Sequence, residues 1–460
     1  MNDPLIWYDR ETLELVPTSG VTRWRQEAPD RWRLFLRQGV KFHNGESWNS
    51  EAAAYSLNII GKPESDATSY NYTGSISAEP VDESTVDILC AVPCPIMDRS
   101  LAWTTFQAPE WHATSPPEVV AATTISFGPY KLAKYSRGES IRLEAYEDYV
   151  PVAGVAEMQK ANIKELLYVW RAEDLVGAAM VRAGEADWAW NIGVENMNQV
   201  PVAKVGGTME SMSWYIDTLW HPMLKQKKFR QAMMHAIDCQ EIVETLYQGV
   251  TTCRGIPASL DVLGATAENT APYEYNPELS LQLLKEVNYQ GEEIRISGRE
   301  ARVPKQTELY EAVAGYLEQV GINVKVEVLE RSVWTEMRNC NPKEGYPEKK
   351  PDCDFGQIVE TAPSYENLDF SKMVIREMDC NSSFGRVCDR ERIQPLIEPA
   401  LAATGEERRR RMEELANIMK DDVQRMTLMD TFVIYGMVED LKWEPRPDQV
   451  VRGSTMSFAQ

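Results

Sequence analysis

The chain has 460 residues, with 48 basic and 70 acidic side chains and a formal net charge of −22. A content of 43% hydrophobic and 26% charged residues belongs to a folded globular protein rather than a disordered one. At roughly 150 residues per domain the length points to two or three lobes. The acidic balance argues against duplex nucleic acid and anionic bilayers, because binding either rests on Lys and Arg meeting phosphate.

No apolar run approaches the roughly 18 residues that span a bilayer. The first twenty residues carry Asp3, Asp9, Arg10, Glu11 and Glu14 where a signal peptide needs an apolar stretch. The chain is therefore expected to be soluble, with any export signal cut away or lying outside these residues. Eight cysteines fall as four local couples: Cys90 with Cys94, Cys239 with Cys253, Cys340 with Cys353, and Cys380 with Cys388. Short-range disulfides would leave this clustering, which favours an oxidising compartment, although eight cysteines allow on the order of a hundred pairings. No Cys-x2-Cys pair is present and His43, His112, His221 and His235 are scattered, so zinc ligation has little support.

Taken in chain order, RWRLFLRQGVK at 31–41 alternates Trp32, Leu34 and Leu36 with Arg31, Arg33 and Arg37, which predicts a strand with one wet face apart from Phe35. A turn at Asn44-Gly45 follows, then a helix with Ser50 as its expected cap and Ala53, Leu57 and Ile60 on one face. Residues 126–149 read as a β-hairpin turning at Arg137-Gly138. Leu175, Val176, Ala179 and Met180 repeat at helical spacing, and Gly184 separates them from a strand over 187–191. Phe229, Ala232, Met233 and Ala236 mark another helix, and one beginning at Asp238 runs to Gly249. Asn276-Pro277 caps the next. Leu309, Ala312, Val313, Tyr316, Leu317 and Val320 then line one helix face, Gly321 ends that helix, and Ile322, Val324, Val326 and Val328 alternate as a strand. Near the end, Thr404 and Glu407 predict a capping box, and Arg408 to Arg411 read as solvated helix charge. Helices feeding strands make this an α/β chain, and the absence of repeats or flexible linkers points to interwoven lobes.

Chemistry-bearing motifs are scarce. The chain lacks a Gly-x-Ser-x-Gly elbow, a Walker-type phosphate loop, His-Glu-x-x-His and Gly-x-Gly-x-x-Gly. Among 70 carboxylates, pairs close in sequence say nothing about a glycosidase dyad, so no catalytic residue is assigned. The aromatic content is more telling. Thirteen tryptophans include Trp188, Trp190, Trp214, Trp220 and Trp334 at expected strand ends or turns, and a wide apolar face with one N–H donor suits a ligand-burying cleft as well as a core.

Six motifs in order resemble the extracellular solute-binding proteins of family 5, the peptide, nickel and opine receptors of ABC importers. They are FLRQGVKFHNGESWNSEAAAYSL, SFGPYKLAKYSRGESIRLEAYEDY, GEADWAWNI, FRQAMMHAIDCQEIVETLYQG, YNPELSLQLLKEVNY and LEQVGINVKVEV. Cys239 stands where the family usually has Arg. Members usually carry further residues ahead of the stretch resembling Asp3-Pro4-Leu5, including a first strand of lobe I and part of the ligand groove.

The resemblance implies a two-lobed periplasmic-binding-protein fold, type II and cluster C-like, with a small subdomain inserted in lobe I. Lobe I would comprise 1–24, 118–222 and 428–460, the inserted subdomain 25–117, and lobe II 223–427. It implies a monomeric periplasmic or extracellular receptor that captures a peptide or other small polar or cationic nutrient between closing lobes. The receptor would present that ligand to an ABC permease in the membrane, with no cofactor and no nucleic-acid partner. A chemosensory role, or nickel or haem binding within the same family, are the alternatives, and a hydrolase ranks last.

Relatives that bind peptides meet the ligand's amino group with an acidic residue in a segment matching Gly356 to Tyr365, where Glu360 is the nearest carboxylate. They often meet its carboxylate with an arginine near the start of the helix that ends at Gly321, where Arg302 and Arg299 are the nearest substitutes. Trp190 and Asn191, at a strand end, and Tyr365, from lobe II, complete the expected ligand contacts.

Overall fold

In the computed structural model, which describes residues 1–62, 73–171, 174–299, 302–382 and 386–459, the alternating residues of 21–36 form paired antiparallel strands. By internal packing the chain divides into two units. Unit 1 comprises Met1–Asp187, Met437–Glu444 and Val450–Gln460, and unit 2 comprises Trp188–Gly436 and Pro445–Gln449.

Unit 1 opens with a short pair, β1 (Ile6–Tyr8) and β2 (Leu15–Pro17). Strands β3 (Val21–Ala28), β4 (Arg31–Leu36), β5 (Ile76–Asp82) and β6 (Thr85–Cys90) make an antiparallel sheet in the order β3-β4-β6-β5. In β4, Trp32, Leu34 and Leu36 are buried and the arginines alternate outward, since successive strand side chains point to opposite faces. Phe35 breaks the wet face as expected, and the Arg23 guanidinium covers its ring at 3.8 Å. The helix Ser50–Ile60 packs on this sheet, with Ala53 and Leu57 fully buried. Its cap is Asn49 rather than Ser50: Asn49 is extended, and its side chain accepts from the Ala52 N–H at 2.9 Å, whereas Ser50 is already helical.

Around this helix the Phe42, Trp48, Phe106 and Phe127 rings pack edge-on or tilted, with centroid separations from 4.7 to 6.3 Å. The Trp48 indole donates to the Gly20 carbonyl, and His43 Nε2 meets the Gly128 carbonyl at 2.9 Å. The FHNGESW segment is thus a packing device that ties the first sheet to the Gly-Pro-Tyr hairpin. That hairpin is β7 (Tyr130–Ser136) and β8 (Ser140–Ala145), joined by β9 (Glu165–Val169) into a three-stranded sheet. Gly138 sits at φ +76° in its turn, a conformation that favours glycine.

Unit 2 is built on six strands: β10 (Trp188–Trp190), β11 (Val202–Ile216), β12 (Ile294–Gly298), β13 (Val324–Val328), β14 (Ile358–Thr361) and β15 (Arg425–Met437), ordered β10-β15-β11-β14-β12-β13. β12 runs parallel to both β13 and β14, while β11 and β14 are antiparallel. The helix Gln306–Gln319 supplies the crossover that two parallel neighbours, β12 and β13, require.

At the helix Gly405–Asp421 two expectations are corrected. Thr404 is the N-cap, but no capping box forms, because the Glu407 carboxylate is taken by Arg410 at 2.8 Å and Arg411 at 2.6 Å. Of the four arginines read as solvated, Arg408 is only 4% exposed and grips buried Asp369 at 2.8 and 2.9 Å. It also caps the preceding helix by donating to the Ala400, Leu401 and Ala403 carbonyls.

All four cysteine couples are disulfide-bonded: Cys90–Cys94, Cys239–Cys253, Cys340–Cys353 and Cys380–Cys388. Alkylation of the denatured, unreduced protein, read by mass spectrometry, should label none of the eight cysteines, and reduction should expose all eight. Any thiol labelled before reduction would break the corresponding pair.

Candidate functional site

Because β12 and β14 are parallel neighbours, their carboxyl ends lie on one side of the sheet, where α/β folds place their ligands. β12 ends at Gly298 and the next residue is Arg299; β14 carries Glu360 next to its last residue, Thr361. Gly298 is required there: a Cβ would lie 2.3 Å from the Tyr310 hydroxyl. That hydroxyl donates to the Arg299 carbonyl at 2.9 Å, so glycine lets Tyr310 fix the backbone that presents the arginine. Arg302 is held through its own backbone N–H, which donates to Gln306 Oε1 at 2.6 Å.

Glu360 is fully buried, and neither of its carboxylate oxygens has a hydrogen-bond partner among the described residues. Two guanidiniums flank it. Arg299 Nε lies 3.9 Å from one oxygen and Arg302 Nε 3.9 Å from the other, too long for hydrogen bonds, and both Nε–H donors are themselves buried without acceptors among the described residues. Burial, opposed by Arg302, Arg299 and Arg338, pushes the Glu360 carboxyl up to about 7. Glu210, on β11, is also raised by burial, and Arg302 NH2 lies 3.6 Å from its carboxylate.

The helix Arg331–Asn339 completes the cluster. Its buried Trp334 donates Nε1–H to the Glu360 backbone carbonyl at 3.1 Å. The guanidiniums of Arg299 and Arg338 approach the same indole ring at 4.7 and 5.6 Å. Beside this group lies a hydrogen-bonded network: Arg425 donates to Glu377 at 2.6 Å and to Ser213 at 2.9 Å, and Lys372 to Glu366 at 2.6 Å and to Ser364 at 2.7 Å.

The structure therefore brings Glu360 and Arg302 together. The sequence expectation had Glu360 awaiting a ligand's cation; the cations beside it are the protein's own. Tyr365 is buried, and its hydroxyl donates to Asp430, which also pairs with Arg254 at 2.7 Å and accepts from Ser211. Trp190 and Asn191 belong to the sheet edge at β10, with β15 and β11 between them and β14. Trp190 is 57% exposed, and Asn191 adopts the left-handed conformation at φ +59°. Two of the tryptophans expected at strand ends or turns lie elsewhere: Trp334 is inside a helix, and Trp214 is a core residue of β11. Arg338 and Glu210 were not singled out from sequence, and Trp334 was named only among the tryptophans that suit a cleft or a core. The Trp334–Arg338 spacing of i, i+4 was the available signal.

With this geometry in place, the comparisons with known proteins identify the class. The model for bacterial extracellular solute-binding proteins, family 5, matches residues 19–355, and the chain belongs to that family. A Brucella ovis protein named as an ABC transporter peptide-binding protein is 25% identical over 341 residues, 70% of this chain and 62% of the relative. The glutathione-binding protein GsiB of Salmonella typhi is 26% identical over 273 residues, 56% of this chain and 50% of GsiB. The chain thus spans less than two thirds of the length of these curated relatives. The crystal structure of NikA from Brucella suis in complex with Fe(III)-EDTA superposes with a TM-score of 0.82 at 18% identity, covering 100% of this chain and 94% of NikA. The fold is that of the two-lobed periplasmic binding proteins.

A carboxyl raised by folding binds a proton in the native state that the unfolded chain has released, so it costs stability as pH climbs between the two values. From the ordinary 4.5 to about pH 8, the wild type should lose about 3 kcal/mol of unfolding free energy relative to Glu360→Gln. Urea titrations of both proteins across that range measure the change, and a constant difference would mean that Glu360 titrates normally.

Proposed function

We propose that the chain is the substrate-binding component of an ABC importer, and that its ligand is a small solute, such as a peptide, bearing a carboxylate that Arg299 and Arg302 receive. The observation that carries this reading is the pair of buried Nε–H donors without acceptors among the described residues, at the carboxyl ends of parallel strands, in a chain whose net charge is −22. Guanidiniums suit a carboxylate because their planar donors match its two oxygens. The relatives point the same way: glutathione and EDTA, named with GsiB and NikA, both carry carboxylates.

In this reading the lobes at 1–24, 118–222 and 428–460, and at 223–427, close over the solute, and the subdomain at 25–117 rides on the first. Closure shifts because only the closed state completes the ligand's contacts, and moving a 1:99 balance to 99:1 takes about 5.5 kcal/mol of differential binding. Trp190, Asn191 and Tyr365 are further contacts in the same proposal. An ABC permease reads the closed form, the protein works as a periplasmic or extracellular monomer, and it releases the solute chemically unchanged.

Mass spectrometry of protein purified under native conditions should recover a carboxylate-bearing solute. Replacing Arg302 by Met should weaken that solute by about 2 to 5 kcal/mol, as truncation of one partner in a buried charge pair does. Calorimetry with the recovered compound measures this, and an unchanged affinity would remove Arg302 from the site.

A further inference from the structure

Four other buried or largely buried ion pairs described in unit 2 are closed by hydrogen bonds. Arg425 meets Glu377 at 2.6 Å, Arg408 meets Asp369 at 2.8 Å, Arg254 meets Asp430 at 2.7 Å and Lys372 meets Glu366 at 2.6 Å. Glu360 differs. Its two oxygens and the facing Nε–H groups of Arg299 and Arg302 are all buried, all without hydrogen-bond partners among the described residues, and held 3.9 Å apart. Buried polar atoms left this way cost free energy unless something completes them.

We propose that Glu360 takes up a proton when an anion is seated on Arg299 and Arg302, so that the site captures its carboxylate ligand together with one proton. This rests on the reading above that the ligand is an anion. The groups facing Glu360 come from several elements. Arg299 and Arg302 follow β12, Arg338 and the Trp334 indole come from the helix Arg331–Asn339, Tyr310 from the helix Gln306–Gln319, and Glu210 from β11.

In the free protein the three arginines favour the ionised carboxyl, while burial and Glu210 oppose it, and the balance leaves it titrating near neutrality. An anion arriving on the two Nε–H groups cancels the field that holds Glu360 ionised and adds a like charge beside it. Both effects drive protonation. The proton comes from solvent onto one Glu360 oxygen, which changes from acceptor to donor and offers its O–H to the ligand. No covalent bond of the ligand changes.

The sign follows from linkage. Because anion binding raises the proton affinity of Glu360, lowering the pH must tighten anion binding by the same coupling. A cationic ligand at Glu360 would show the reverse, since it favours the ionised form and would bind better as pH rises.

The test uses the full chain, its Glu360→Gln variant, and four probes: succinate, glutamate, triglycine and putrescine. For a carboxylate that binds, the wild-type dissociation constant should be about tenfold lower at pH 6 than at pH 8.5, and that ratio should collapse towards one in Glu360→Gln. Independently of any variant, wild-type calorimetry near pH 7.5 in phosphate and in Tris should show uptake of between about half and one proton per bound carboxylate. Carboxylate binding with no proton uptake and no pH dependence overturns the inference and leaves the proposed ligand class standing. Failure of all three carboxylates at both pH values, or putrescine binding that tightens with rising pH, removes the anionic ligand class and this inference with it.

Discussion

A carboxyl sealed from water and held between two guanidiniums that do not quite reach it is the constraint around which the candidate site is organised. At 3.9 Å and an effective dielectric of about 20, each Arg–Glu360 attraction is worth about 4 kcal/mol. Desolvation costs several kcal/mol for each ion, so attraction and burial come close to cancelling. A shorter, hydrogen-bonded pair would lock the carboxyl in its charged form. A dry carboxyl without arginines would be a permanent acid. The observed arrangement lies between these limits, which is why a small change in local charge can decide whether Glu360 holds its proton.

That near-balance is imposed by the backbone rather than by the arginines' own flexibility. Gly298 ends β12 where any side chain would strike Tyr310, and Tyr310 in turn pins the Arg299 carbonyl. Gln306 holds the Arg302 N–H from the first residue of the next helix, and Trp334 holds the Glu360 carbonyl from a third element. The Cys340–Cys353 disulfide starts immediately after that third helix and closes five residues before β14, so it staples the segment between Trp334 and Glu360. Both flanks of the carboxyl are thereby fixed by contacts that a ligand would not have to build.

Much of the fold was legible in the sequence because the family-like motifs are packing devices. FHNGESW places Phe42 and Trp48 in an aromatic core, and FRQAMM buries Arg230, which donates to the Leu224, Lys225, Asp422 and Val423 carbonyls. Such residues leave periodic, local signals. Glu360 and Arg302 were also singled out from sequence, through the segments they occupy, but their relation to each other was not. Nothing local tells that β14 lies parallel beside β12, since β14 is inserted between β11 and β12 from residues far downstream. For the same reason Arg408 reads as one of four solvated arginines until the fold brings Asp369 against it, and Glu407 reads as half of a capping box until Arg410 and Arg411 claim it.

The pairing also bears on the sign of the ligand's charge. From sequence, one carboxylate in a segment that relatives use for the peptide amino group suggests a cationic partner. In the structure a ligand cation at Glu360 would have to share a carboxylate already faced by Arg299, Arg302 and Arg338, and would meet their repulsion in a medium that screens poorly. Among the described residues an anion meets those three positive charges with Glu360 and Glu210 on the opposing side, and protonation of Glu360 removes one of these two. Glu360, which the sequence comparison suggests as an amino-group anchor, thus stands already faced by Arg299 and Arg302, the residues that the same comparison suggests for the carboxylate.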